Sequence, residues 1–516
     1  MIRFRLVTSI IGYLSMGYVC FMFIPLVVSL IKQEQDSSIA FIVTIAISFI
    51  LGRLAILSDK KAEMDELNRM ESLAVVVFGW LILALIGSIP YMFFDFSFVD
   101  SLFESMSGFT TTGSTILSDF GKLNISMFFY RGFTQWIGGL GILVIFVALL
   151  PQLAIAGRQL FFAEVSAESK DKLSPRIKDT AYQLLVWYTL VTLLCTLGLW
   201  FSGIGFIESA SNAFATLAAA GFSPNSESIG GYHNAAAEWV IIVFMFLAGA
   251  NFVLQVKIIK SFFGGIKINK NSSNKFVKND NTLWDNMKIF LSNSEFIAYI
   301  LIIVVAATIV SLVLASKYYP SETSYIYIIR QSLFQCLSIL TTTGSASYDY
   351  ELWPVAAKGI LAILMFIGGC SGSAGGGMKV IRIVILAKYF WKVLLKNIYP
   401  EAVIRIRLDN RTLRENDVLP IVSFFMFYIL VFFIGGTIIS LLENSFVVGY
   451  SGSIACLGNI GPGFESIGPM GNFANWHIIS KCVAIFLMWA GRLEVVALMV
   501  FFHPDIWRGS KWGIAR

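Results

Sequence analysis

Residues Ser107–Leu117 read SGFTTTGSTIL, and their centre, Thr110-Thr111-Thr112-Gly113-Ser114, returns letter for letter at Thr341-Thr342-Thr343-Gly344-Ser345. Two more glycine-centred stretches, Ala219-Ala220-Gly221-Phe222-Ser223 and Gly458-Asn459-Ile460-Gly461-Pro462, stand at matching intervals. The central glycines lie 108, 123 and 117 residues apart. A lone Thr/Gly stretch is an ordinary turn. Four at a near-constant period mark an internal repeat, which is the first thing to seek in a chain of this length.

The surroundings repeat as well. A short semi-apolar segment precedes each stretch: Asp100–Phe109, Ile207–Ala218, Arg330–Leu340 and Tyr450–Leu457. Each falls short of the ~20 residues a helix needs to cross a bilayer, but suffices for one that enters and turns back. Long apolar segments come before them, at Ala74–Phe94, Leu184–Phe201, Ile297–Ala315 and Ile421–Leu442. A second apolar run follows each stretch, with a small-residue pair near its middle: Gly138-Gly139, Ala248-Gly249, Gly368-Gly369 and Ala490-Gly491. Ahead of all four units, Val7–Ile31 and Ile39–Ile56 form an apolar hairpin, closed by the polar stretch Arg53–Glu71. The expected architecture is an all-α integral membrane protein with ten spanning helices and four re-entrant half-helices. Residues 1–72 hold the hairpin; the units occupy 73–157, 158–262, 263–398 and 399–516.

Composition agrees. The chain is 57% hydrophobic and 14% charged, with a mean hydropathy of +0.75, whereas soluble domains carry about 25% charged residues. The net charge of +6 is a matter of topology rather than of nucleic-acid binding. Of the 38 Lys and Arg residues, 30 fall in one alternating set of loops and termini; Lys32, Lys122, Arg131, Lys317, Arg330, Lys358 and Lys481 form the other, and Arg492 belongs to neither. The basic set is cytoplasmic by the positive-inside rule, so both termini lie inside. Arg3 and Arg5 ahead of an apolar run resemble a signal peptide, but no small-residue cleavage site interrupts the run, which reads as a first spanning helix. The cysteines Cys20, Cys195, Cys336, Cys370, Cys456 and Cys482 lack metal spacing and read as free, buried, small hydrophobes.

Extended backbone at membrane depth leaves carbonyls unpaired, which lipid does not tolerate but a pore does. Four such strands around an axis would present rings of oxygens able to replace an ion's hydration shell. The expected filter is Thr111, Thr112 and Gly113; Ala219, Ala220 and Gly221; Thr342, Thr343 and Gly344; Asn459, Ile460 and Gly461. Half-helices that aim their partly negative C-termini at the axis would favour a cation. On the outer side, Glu208, Glu227 and Glu238 would raise its local concentration.

Two elements suit a gate. Gly368–Gly377 reads GGCSGSAGGG (Gly368, Gly369, Cys370, Ser371, Gly372, Ser373, Ala374, Gly375, Gly376, Gly377), a composition a straight helix cannot easily keep. Arg492 sits inside the last apolar run, where an arginine costs at least ~2.5 kcal/mol and faces a cavity or a partner. Glu494, two residues on, lies on another helix face and is a poor local partner.

Taken together, SGFTTTGSTIL, GFSPNSESIGGY (Gly221–Tyr232), GGCSGSAGGGMKVIR (Gly368–Arg382), LGNIGPGF (Leu457–Phe464) and MWAGRLEV (Met488–Val495) resemble the TrkH/TrkG branch of bacterial potassium-uptake proteins. The resemblance runs from about residue 5 to the C-terminus, and the N-terminal hairpin resembles that branch rather than the shorter KtrB relatives. It implies four potassium-channel-like repeats in one chain, potassium as the transported ion, and an inner-membrane homodimer with one pore per protomer. It also implies a cytosolic nucleotide-binding regulatory partner of the TrkA type. Potassium would be held at Thr111, Thr112, Ala220, Gly221, Thr342, Thr343, Asn459 and Ile460. The rival is a secondary carrier coupled to H+ or Na+ around a midplane site, but such folds are usually built from two repeats, often inverted. An enzyme is not expected: His233, His477 and His503 form no cluster, and no nucleophile elbow or phosphate loop is present.

Overall fold

The computed structural model describes residues 3–57, 68–148, 173–263, 293–320, 322–409 and 411–494. Among them, six helices are long and apolar enough to cross a membrane, or seven if one sharply bent pair counts as a span. The basic stretches 158–172, 264–288 and 508–516 lie outside the described residues, as do the expected boundary at 157/158 and most of the 53–71 connection.

Helices α1 (Phe4–Ile31) and α2 (Gln35–Leu57) make the N-terminal hairpin. Their crossing is close because Gly12 and Gly52 face each other: a Cβ on Gly12 would stand 2.8 Å from Gly52 O. The first unit then comprises α3 (Arg69–Gly87), a single turn α4 (Ile89–Met92), α5 (Phe98–Phe109) and α6 (Ile125–Ala148). The hairpin is tied to this unit. Glu34 accepts the Ile125 and Ser126 N–H groups at the start of α6; Tyr18 and Tyr130 share a buried hydroxyl hydrogen bond, and Tyr130 donates onward to Gly87 O. Such pairings are required where no water reaches.

The second unit contains α7 (Leu173–Phe201), α8 (Phe206–Leu217), α9 (Ala235–Gly249) and α10 (Phe252–Phe263), the last two meeting at a 100° bend. The third contains α11 (Ser294–Lys317), α12 (Tyr325–Leu340), α13 (Val355–Met365) and α14 (Val380–Ile398). A small antiparallel hairpin, β1 (Ile406–Leu408) with β2 (Arg411–Leu413), leads to the fourth: α15 (Glu415–Glu443), α16 (Phe446–Leu457) and α17 (Ile478–Arg492). Two of the short helices are started by local side chains, at Ser97, which accepts from Asp100 N, and at Ser445, which accepts from Val448 N.

The units close on themselves. Within each, the short helix packs against a neighbouring long one. Between units, the second helix of one packs on the short helix of the next: α6 on α8, α9 on α12, α13 on α16, and α17 back on α5. The small-residue pairs allow close approach both within and between units. A Cβ on Gly138 would run into Phe109 O, one on Gly491 into Leu457 O, and one on Gly249 would come 2.5 Å from Thr341 Cγ2.

Two expectations need correction. Cys20 and Cys482 are exposed, not buried, because they sit on the outward faces of α1 and α17; the other four are buried, and all six are free. Glu238 is not an open surface carboxylate: it is buried, with Arg330 Nε at 2.7 Å and Gln331 Nε2 at 2.9 Å.

Candidate functional site

The four glycine-centred segments leave their short helices in the same way. In each, one residue just past the helix turns left-handed: Thr111 (φ 53°), Ala219 (53°), Thr342 (59°) and Asn459 (52°). The next N–H then reaches back to the helix, Thr112 to Ser107 O (2.9 Å), Ala220 to Ala215 O (2.8 Å), Thr343 to Ser338 O (2.8 Å) and Ile460 to Ala455 O (2.8 Å). This is a Schellman ending, which glycine normally supplies. A side-chain-bearing residue there costs about 1–2 kcal/mol. Such strain, kept at the same register in all four segments although only two share a sequence, marks a place with a job other than stability.

Beyond the left-handed residue the segments form a ring. A Cβ on Gly113 would lie 2.8 Å from Gly221 N, and one on Gly221 would lie 2.7 Å from Thr343 O. One on Gly344 would collide with Ile460 O, and one on Gly461 would lie 2.8 Å from Thr112 O. The glycines therefore contact one another in the order of the sequence and return to the start. Three of them, Gly113, Gly344 and Gly461, also have positive φ. Side-chain bonds brace the ring: Ser114 Oγ donates to Gly461 O (2.9 Å), Asn459 Nδ2 donates to Thr112 Oγ1 and to Met488 O (3.0 Å each), and the Thr110–Thr112 and Thr341–Thr343 hydroxyls pair at 2.8 Å.

On one side the ring opens into a cavity of about 130 Å³, lined by the four glycines together with Ser114, Ser223 and Arg131. Arg131 brings no free charge there. It is buried, bridges Glu104 at 2.5 Å, and lies 4.1 Å over the Phe222 ring. Glu104 also takes the Ile116 N–H (3.0 Å) and the Thr115 hydroxyl (3.0 Å), fixing the chain just past Gly113. Arg330, Lys358 and Lys481 are paired similarly, with Glu238, Glu351 and Asp100. Four of the seven cations of this set are thus neutralised by partners.

On the opposite side lies the glycine-rich loop. Helix α13 stops at Met365 and α14 begins at Val380, and the intervening chain folds under the ring. Gly376 N donates to Thr342 Oγ1 (2.7 Å), inside the third segment. A Cβ on Gly375 would meet Thr341 O at 2.8 Å, and one on Gly376 would meet Gly458 O at 2.6 Å. The 100° break between α9 and α10 supplies the loop's seat. Its freed carbonyls accept Cys370 N (to Gly249 O, 2.8 Å) and Ala374 N (to Ala248 O, 3.2 Å), and Phe252 N donates to Gly372 O (3.1 Å). Broken helices at membrane depth need such substitutes.

Arg492 is buried beside this loop. Its Nη1 donates to Ala374 O (3.0 Å) and its Nη2 to Gly138 O (3.1 Å), joining the loop to α6. Glu494 is indeed not its partner; Arg382 Nη2 takes that carboxylate at 2.6 Å. Lys379 Nζ donates to Gly375 O. Thr111 Oγ1, Asn459 Oδ1, Ser373 Oγ and Arg492 Nε are buried atoms that lack a protein hydrogen-bond partner among the described residues. The described residues gather no group of three or more His, Cys, Asp or Glu. What the site offers an ion is carbonyl and hydroxyl oxygen.

The TrkH family profile, described as a cation transport protein, matches residues 37–509. The chain belongs to the TrkH cation transport family. It is 33% identical over 510 residues to the "Trk system potassium uptake protein TrkH" of Escherichia coli (strain K12), covering 98% of this chain and all of that protein. It is 30% identical to the "Trk system potassium uptake protein TrkG" of the same strain, over 98% of this chain and 99% of the relative. The crystal structure of the potassium transporter TrkH from Vibrio parahaemolyticus superposes with a TM-score of 0.85 at 30% identity, covering 98% of this chain and 100% of that one. This TrkH-family chain is a multi-pass membrane protein of a transporter family.

Several residues around the site carry no mark in the sequence of this TrkH-family chain. Glu104 and Arg131 are 27 positions apart and pair only because α5 and α6 fold together. The seat at Ala248 and Gly249 reads as an ordinary small-residue pair; Asn251 and Gln255, polar residues just past it, are the faint signal of the break. Glu295, at the start of α11, gave none.

Proposed function

We propose that this protein takes up potassium across the bacterial inner membrane through a filter made by the four glycine-centred segments. The closed ring of Gly113, Gly221, Gly344 and Gly461 carries this reading. It brings four short-helix C-termini and their following carbonyls around one axis, the arrangement in which backbone oxygens replace an ion's water. The ligand oxygens belong to Thr111, Thr112, Ala220, Gly221, Thr342, Thr343, Asn459 and Ile460. The segments differ in side chains, so discrimination rests on backbone geometry that is only quasi-fourfold. The relatives named for potassium uptake support the choice of ion.

In the same reading, ten spans cross the membrane with both termini in the cytoplasm, and loop 368–377 closes the path below the filter. Arg492 adds a barrier: its positive charge sits where an ion must pass and its hydrogen bonds tie the loop to α6. Opening moves the loop off its seat at the α9–α10 break. The protein works as a homodimer under a cytosolic TrkA-type partner, in which nucleotide control would reside. Potassium uptake by cells that lack their own transport systems, with sodium as competitor, tests the assignment. Growth rescue at low potassium that sodium does not suppress is expected; sodium uptake of equal rate would overturn it.

A further inference from the structure

The glycine-rich loop has two ends, and one carboxylate holds both. Glu295 lies in the first turn of α11, just past Asn293, whose side chain caps that helix by accepting from Phe296 N. It is buried. Its Oε1 accepts the N–H of Ser371, near the entry of the loop, at 2.6 Å, and the N–H of Ile381, in the first turn of α14, at 3.2 Å. Loop residues 372–380 are thereby closed across a single oxygen atom. The loop must break both bonds, or drag α11 with it, before its tip can leave Thr342 and Arg492.

The charge is placed to suit this. Ile381 is one of the N–H donors that α14 cannot pair within itself, and the helix N-terminus is partly positive, so a carboxylate is the favoured partner there. The positive groups closest along the chain are committed elsewhere: Lys379 to Gly375 O, and Arg382 to Glu494. Glu295 takes no part in the ring or the outer cavity, so nothing in the conduction path requires it.

We infer that Glu295 is the latch of the glycine-rich loop, a positioning residue that sets how often the loop opens. This rests on the reading of loop 368–377 as the gate. The latch acts chiefly through acceptance of two N–H groups by one oxygen, so an amide oxygen at the same place should keep much of the hold and lose only the contribution of the charge.

Cys370 provides a reporter, since it is buried within the loop while Cys20 and Cys482 are exposed. The experiment uses the full-length protein in proteoliposomes, with Cys20 and Cys482 replaced by Ser. It measures Cys370 modification by a charged thiol reagent together with rubidium flux. Glu295→Ala should modify Cys370 about tenfold faster or more, the ratio that corresponds to ~1.4 kcal/mol in the opening equilibrium, and should raise flux. Glu295→Gln, which keeps both bonds without the charge, should exceed the parent by only about two- to fivefold, where tenfold would be the mark of a lost bond pair. Glu295→Asp, one methylene short, should fall between and serves if the Ala variant does not assemble. A protein with Gly372–Ala374 deleted tests the gate separately. If the deletion raises flux while Glu295→Ala and Glu295→Asp change neither readout, the latch is refuted. If Glu295→Gln behaves like Glu295→Ala, the two accepted bonds are not what holds the loop. Unchanged flux in the deletion instead refutes the gate.

Discussion

Replacing Gly461 by Ser attacks the ring at one defined contact. The new Cβ would stand 2.8 Å from Thr112 O and 3.2 Å from Gly113 C, in backbone at φ +107°. Ordinary carbon contacts begin near 3.5 Å, so the first and fourth segments must part by about half an ångström. The dihedral adds about 1–2 kcal/mol of strain, because a side chain is disfavoured at positive φ. The atom pushed aside is itself a proposed ligand oxygen. An oxygen cage fitted to potassium loses its advantage when one wall moves out, and a loss of ~1.4 kcal/mol is tenfold in preference. We therefore expect the potassium-to-sodium flux ratio in proteoliposomes to fall about tenfold, with total flux kept or raised. Gly359→Ser is the matched control, since a Cβ there has nothing within 4 Å; it should leave the ratio unchanged. A well-folded Gly461→Ser protein with parental selectivity would refute the reasoning.

Other expectations follow from single contacts. Arg492→Ala removes two charge-assisted bonds, each worth about 1.5–3 kcal/mol, and should raise flux about tenfold or more at unaltered selectivity; equal or lower flux in folded protein would count against the barrier. Thr342→Val deletes the acceptor of Gly376 N (2.7 Å) and should raise flux less than Arg492→Ala does, as read in the same vesicles. Arg131→Met strands the buried Glu104 carboxylate, which should cost about 3–5 kcal/mol of stability. Arg131→Met with Glu104→Gln should recover most of that cost in thermal unfolding. Equal losses in the single and double variants would mean that the pair is not coupled.

Much of this was legible because the membrane restricts what a chain can do. Long apolar runs and their basic flanks set the helices, and the ends of the short helices fell within a few residues of expectation: Asp100–Phe109 was read where Phe98–Phe109 forms, and Tyr450–Leu457 where Phe446–Leu457 forms. The starts were missed because Ser97 and Ser445 cap their helices ahead of the apolar stretch. The period of the glycines pointed to the ring, since glycine at one register in all four units is explained by close backbone approach, joined at Gly113, Gly344 and Gly461 by positive φ. It did not reveal the left-handed turn at Thr111, Ala219, Thr342 and Asn459, because Thr and Ala are not usual choices for it and only Asn459 is a residue that often adopts it. Contacts between distant segments were the least visible. Glu238 read as a surface charge because its partner Arg330 is 92 residues away, and Glu295 carried no signal because an N–H group it accepts belongs to a loop 76 positions on.

In the proposed filter, four backbone segments hold a dehydrated potassium ion on one axis. Anomalous scattering from rubidium, substituted for potassium in crystals of this protein, tests it most directly. A peak is expected on the axis of the ring, between the carbonyls of Thr112, Ala220, Thr343 and Ile460. Rubidium bound instead at a site among carboxylates away from the ring, with the axis empty, would contradict it.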